Sequence, residues 1–275
     1  MSRIALVISD VDGTLVPTDK VLTERSRDAV LRLNARGIAF TIVSSRPPIG
    51  LRMLVEPLAL RLPMGAYNGG ALMMPDLTVL EQRLLPREAA LGAIAVLRSF
   101  GVAIWIFSGN RWLVQDANGA YVDWEACTIH VRPTIVERLE NHLDAVAKIV
   151  GVSDDCERLD ACEPAARRTL GRSASLARSQ PYFLDFTPAG TDKGVAVVEL
   201  AERLGIPAAE IATIGDMEND VAMFKKSGFS IAMGNASPEV KRLADAVTLS
   251  NDENGFADAV EHLILPRVSN STAAI

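Results

Sequence analysis

Few of the residues that mark a secreted, metal-thiolate or nucleic-acid-binding protein are present in this chain. Its 275 residues include three cysteines, Cys127, Cys156 and Cys162. That odd number, without zinc-ligand spacing, argues against a disulfide framework and against a Cys-rich metal site. The three read as reduced packing residues. Aromatic residues make up 5% of the chain, and no basic cluster interleaved with aromatics could track a phosphodiester backbone, so nucleic acid is not an expected partner. His130, His142 and His262 have no partner spacing and are assigned no role. Apolar runs are short. The first, Ile4 to Ile8, is shorter than a signal-peptide core, and no run approaches a membrane span, so the expected location is the cytoplasm with no membrane partner.

What is there fits an ordinary globular chain: 49% hydrophobic, 23% charged, net charge -6, too apolar to be disordered. The length exceeds one average domain, which leaves one large α/β domain or a core with a smaller insertion.

The patterning selects the second. Ile4-Ala5-Leu6-Val7-Ile8 is continuously apolar, as expected of a strand covered on both faces in a parallel sheet. Thr23 can cap a helix whose apolar face carries Ala29, Val30 and Leu33 and which Gly37 can end; Ile38 to Val43 then reads as a second buried strand. The same texture returns with a helix from about Lys193 to Leu204, a strand Ile211 to Ile214, and short strands at Phe229 to Met233 and near Val247. Between roughly Glu81 and Thr187 the texture changes. That stretch holds Trp105, Trp112 and Trp124 and all three cysteines, an apolar run from Val102 to Phe107, a helical pattern around Val136 to Val150, and an Arg-, Ala- and Ser-rich stretch, Asp154 to Ser179, read as partly loop. The tryptophans are expected to pack this insertion, or one of them to line a ligand-facing pocket. The expected architecture is therefore α/β: a Rossmann-like doubly wound parallel sheet formed by residues 1–81 and 188–275, with an inserted α+β cap at 82–187. Ser269 to Thr272 reads as a frayed tail.

Open parallel sheets hold ligands beyond the carboxyl ends of their strands, where Asp10, Ser44 and Asp216 all fall. Asp10-Val11-Asp12-Gly13-Thr14 puts two carboxylates two residues apart at such an end. Either they share a proton or a divalent metal neutralises part of the charge. An all-oxygen site, extended by Gly215-Asp216-Met217-Glu218-Asn219-Asp220, favours Mg²⁺ and not zinc. Lys193 lies at a helix start, where it can meet a bound anion, and Ser44 offers a hydroxyl and backbone N–H groups; together they can cradle a phosphate.

Four motifs in this order and spacing resemble those of the haloacid dehalogenase superfamily, and in detail its Cof-type sugar-phosphatase branch. Asp10 and Asp12 match the first, Ser44 the second, Lys193 the third, and Asp216 with Asp220 the fourth, supported by Tyr67-Asn68-Gly69-Gly70-Ala71 and by Ile231 to Ala236. The resemblance implies that Asp10 is a nucleophile forming an aspartyl-phosphate and that Asp12 serves as general acid, then base. It implies Mg²⁺ held by Asp10, the Asp12 backbone carbonyl and Asp216, with Asp220 in support. It also implies phosphate or substrate contacts from Ser44, Ser45, Arg46, Asn68, Lys193 and Asn219. Ser44-Ser45-Arg46 stands where Thr-Gly-Arg is usual, which keeps the hydroxyl and can narrow the pocket. Two activities fit: hydrolysis of a small phosphorylated metabolite such as a sugar phosphate, or phosphomutase transfer on a sugar phosphate. A non-catalytic binding role fits the four acidic and basic positions poorly. Oligomeric state is not legible.

Overall fold

The computed structural model describes residues 3–267. The chain forms two compact units, one of residues up to 44, 54–64 and from 193 onward, the other of 45–53 and 65–192. The tail at Ser269 to Thr272 lies outside the described residues.

The first unit is built on a five-stranded sheet in the order Ala246–Val247, Phe229–Ala232, Ile211–Gly215, Leu6–Ser9, Ala39–Ile42. Every pairing in it is parallel, with Leu6 opposite both Ile211 and Ala39. The continuous apolar runs explain this. Leu6, Val7 and Ile8 are all buried, as are Ile211, Ala212 and Ile214, and burying each Val, Leu or Ile side chain stabilises by roughly 1.5–3 kcal/mol. The helix Glu24–Ala35 begins where expected: Thr23 accepts from the Ser26 N–H at 3.0 Å, and Ala29, Val30 and Leu33 face the core. Gly37 follows with φ +71°. The helix Lys193–Leu204 also begins and ends as read. Parallel pairing brings the carboxyl ends of three strands to one edge, so Asp10, Ser44 and Asp216 follow them there.

The second unit holds a six-stranded sheet in the order Ala174–Gln180, Phe183–Pro188, Val146–Val152, Ala103–Ser108, Arg111–Val114, Thr134–Ile135. It is antiparallel except at the last pairing. The helices Arg87–Ser99 and Cys156–Leu170 share one core with it, including Ile94, Leu97, Ile106, Ile149, Leu159 and Phe186. This is the α+β insertion, though two of its elements differ from the sequence reading. Val136 to Val150 is not a helix but a short 3-10 turn, Leu139–His142, followed by the strand Val146–Val152. That strand is buried at every position, so the alternation that would distinguish it is absent. Asp154 to Ser179 is loop only at Asp154–Asp155 and in the turn at 171–173: Asp155 caps the helix Cys156–Leu170 by accepting from the Arg158 N–H, and the strand Ala174–Gln180 follows the turn. Trp105 and Trp112 are buried edge to face with centroids 4.9 Å apart, whereas Trp124 is 42% exposed. Packing likewise describes only Cys162, since Cys127 and Cys156 are exposed. Residues 45–53 and 65–81 group with this unit through bonds such as Arg46 to the Thr128 carbonyl.

Candidate active site

Asp10 ends the first strand's run, its N–H bonded to the Ile214 carbonyl at 2.9 Å, and is only 4% exposed. The chain then turns sharply. The N–H groups of Thr14, Leu15 and Val16 all reach back to the Val11 carbonyl, and Gly13 sits at φ +86°. A Cβ on Gly13 would lie 2.4 Å from Asp216 Oδ2, so glycine is required for backbone conformation and for room alike.

Asp216 follows the strand Ile211–Gly215 and is held by two donors: the Thr14 hydroxyl to Oδ1 at 2.8 Å and the Asn235 amide to Oδ2 at 3.1 Å. The same Asn235 nitrogen donates to the Gly13 carbonyl at 2.9 Å. Asp220 divides its carboxylate: Oδ2 accepts from the Asp216 and Met217 N–H groups, and Oδ1 accepts from Lys193. Lys193, 1% exposed, reaches Asp10 Oδ1 and Asp220 Oδ1 at 2.6 Å each.

Three buried carboxylates thus face one ammonium. Burial pushes the Asp10 carboxyl up to about 7; the Lys193 ammonium opposes this, and the Asp220 and Asp12 carboxylates reinforce it. Asp216 is raised well above its ordinary value, first by burial and then by Asp10 and Asp220. Burial disfavours the Lys193 ammonium, but attraction from Asp10 and Asp220 overcomes it and raises its pKa. Carboxylate oxygens of Asp10, Asp216 and Asp220 lie within 4.8 Å of one another. An all-oxygen donor set with this surplus of negative charge fits a hard divalent cation, as Mg²⁺ is.

Ser44 is fully buried two residues beyond the strand Ala39–Ile42, and Asn219 is half-buried in the turn Glu218–Asp220. The remaining expected contact residues belong to the second unit. The Ser45 carbonyl accepts from Lys148 at 3.0 Å, Arg46 donates to the Gly50 and Thr128 carbonyls, and Asn68 donates to Asp185 at 2.9 Å.

One ionic neighbour of Asp12 was not anticipated. Lys20 Nζ lies 3.2 Å from Asp12 Oδ1, and both side chains are largely buried. Lys20 closes a turn in which its N–H meets the Pro17 carbonyl, with φ +66°. Sequence offered only the turn-like Pro17-Thr18-Asp19 before it. Asn235 was visible as part of a supporting motif, but its grip on Asp216 was not.

Residues 7–260 match the family described as haloacid dehalogenase-like hydrolase. The chain belongs to that family. Curated relatives in it are named phosphatases. The chain is 28% identical to the 5-amino-6-(5-phospho-D-ribitylamino)uracil phosphatase YwtE of Bacillus subtilis, covering 93% of this chain and 96% of that one. It is 29% identical to the HMP-PP phosphatase of Cronobacter sakazakii, with 84% of each chain covered. A haloacid dehalogenase-like hydrolase from Bacteroides thetaiotaomicron superposes with TM-score 0.82 at 30% identity over 94% of this chain and 99% of that one. Among the described residues, no helix is long and apolar enough to cross a membrane.

Proposed function

We propose that this chain is a Mg²⁺-dependent phosphatase that frees orthophosphate from a small phosphorylated metabolite, such as a sugar phosphate, through an aspartyl-phosphate on Asp10. The observation that carries the reading is the buried Asp10 carboxylate, bonded to Lys193 and grouped with Asp216 and Asp220. Asp10, the Asp12 backbone carbonyl and Asp216 would hold the ion, which when bound offsets negative charge on the carboxylates and the phosphoryl oxygens. An Asp10 oxygen attacks phosphorus as the bond to the leaving oxygen breaks, and the Asp12 carboxyl gives that oxygen its proton. Water then attacks the aspartyl-phosphate, Asp12 takes up its proton, and the Asp10 carboxylate is regenerated. Proton transfer of this kind contributes roughly 10²–10⁴-fold, so charge stabilisation by Lys193 and by the Ser44 hydroxyl must supply much of the rest. Ser45, Arg46, Asn68 and Asn219 are assigned to binding the ester, with Asp220 supporting Lys193. Residues 82–187 are assigned to choosing the leaving group. Supporting the substrate class, the relatives named above act, by name, on small phosphorylated compounds. A cytoplasmic location belongs to the same proposal and is consistent with three free cysteines.

The test is orthophosphate release from a panel of sugar phosphates, phosphorylated heterocycles and aryl phosphates, with Mg²⁺ and with EDTA, beside Asp10→Asn. Metal-dependent release lost in the variant is expected. Turnover by Asp10→Asn comparable with wild type would overturn the mechanism, and an isomeric sugar phosphate in place of orthophosphate would make the enzyme a mutase.

A further inference from the structure

The second unit contains a buried ion pair that the chemistry above does not use. Lys148, on the strand Val146–Val152, places Nζ 3.3 Å from both oxygens of Asp185, on the neighbouring strand Phe183–Pro188. The side chains are 6% and 0% exposed. A pair so desolvated is weak support for stability, because apolar residues of similar volume commonly serve as well or better. Its contacts suggest another purpose. The Lys148 ammonium also donates to the Ser45 carbonyl at 3.0 Å and lies 5.4 Å from the centre of the Phe107 ring, and Asp185 Oδ2 accepts from the Asn68 amide at 2.9 Å.

A second feature meets the pair at Asn68. Tyr67, Asn68 and Gly69 have φ of +53°, +56° and +86°. Three consecutive left-handed residues, two of them with side chains, persist only where the surroundings hold them. The Asn68 amide bond to Asp185 and the Tyr67 N–H bond to the Arg46 carbonyl at 3.0 Å are such holds.

We propose that Lys148 and Asp185 are positioning residues: their ion pair clamps the Ser45 carbonyl and the strained Tyr67–Gly69 turn, fixing the two segments that contact the phosphate ester. This rests on the contact role given above to Ser45 and Asn68. Neither charged residue touches the substrate. Their removal acts through the segments they hold, so it weakens ester binding more than it slows the chemical steps.

The test compares KM, kcat and thermal midpoint for wild type, Asp10→Asn, Lys148→Arg and the double variant Lys148→Met/Asp185→Leu on one ester. The apolar double variant is expected to stay folded, with its midpoint within a few degrees of wild type, and to raise KM about tenfold or more while kcat changes little. Lys148→Arg, which keeps a cation with donors for both partners, is expected to restore most of the binding. A wild-type KM in the folded apolar variant, or a loss in Lys148→Arg as large as in that variant, would overturn the clamp. Should the leucine variant fail to fold, Lys148→Met/Asp185→Asn makes the same comparison at the Ser45 end. A silent wild type, or undiminished release by Asp10→Asn, would instead overturn the phosphatase reading and the clamp with it.

Discussion

Replacing Asp10 by asparagine should stabilise the metal-free protein above neutral pH even as it removes activity. The folded-state carboxyl is raised by burial from 3.8 to about 7, so between those values the folded state binds more protons than the unfolded one. Folding stability must then fall as pH rises through that interval and level off above it. From about pH 5.5 to the folded pKa is about 1.5 units, and at about 1.4 kcal/mol per unit the loss is about 2 kcal/mol. For a chain of this size that is about 4–8 °C in thermal midpoint. The assay is thermal unfolding in EDTA at about pH 5.5 and about pH 8, followed by Mg²⁺ addition, for wild type and Asp10→Asn. Wild type should lose several degrees across the window and regain them with Mg²⁺. The variant should lose less, because Asp216, raised in part by Asp10, is relieved too. If Asp10→Asn is no more stable than wild type in EDTA at the higher pH, the reasoning fails.

Lys193→Met leaves Asp10 and Asp220 without their shared cation and should destabilise by about 3–5 kcal/mol, read by denaturant unfolding; a loss below about 1 kcal/mol would mean the carboxylates are neutral without it. Gly13→Ala forces a methyl against Asp216 at a positive φ. It should weaken Mg²⁺ binding by about tenfold or more, measured by the metal dependence of phosphate release, and unchanged affinity would remove Asp216 as a ligand. Lys20→Met removes the ammonium beside the Asp12 carboxylate and should lower kcat by about tenfold at an unchanged circular dichroism spectrum; wild-type kcat would leave the pair a structural one without influence on proton transfer.

The first unit was legible in the sequence because its physics is local. Ile4 to Ile8 and Ile38 to Val43 could only be strands buried on both faces, and Asp10 and Ser44 follow from where such strands stop. Thr23 and Gly37 bracket their helix with side-chain and backbone chemistry that acts within a few residues. The second unit resisted. Val146 to Val152 is as buried as a helix interior and shows neither period, while the helix Cys156–Leu170 carries Pro164 inside it and a polar, Arg-rich exposed face. The polar partners were also hidden, since Lys20 with Asp12 and Lys148 with Asp185 depend on how the chain turns and pairs, which no motif spacing records.

The strand Leu6–Ser9 has Ile211–Gly215 as one of its two neighbours, and Asp10 meets Lys193 across 183 positions of sequence. On the ribosome, where domains generally fold from the amino terminus as they emerge, this strand waits for most of the chain before one edge is covered. Its run of apolar side chains and unpaired backbone edge then remains open to chaperones or to wrong partners throughout that interval. A chain cut short anywhere before the Ile211–Gly215 strand has Asp10 but no Asp216 or Asp220. On the proposed mechanism, phosphate release from a growing chain would therefore mark synthesis past Asp220.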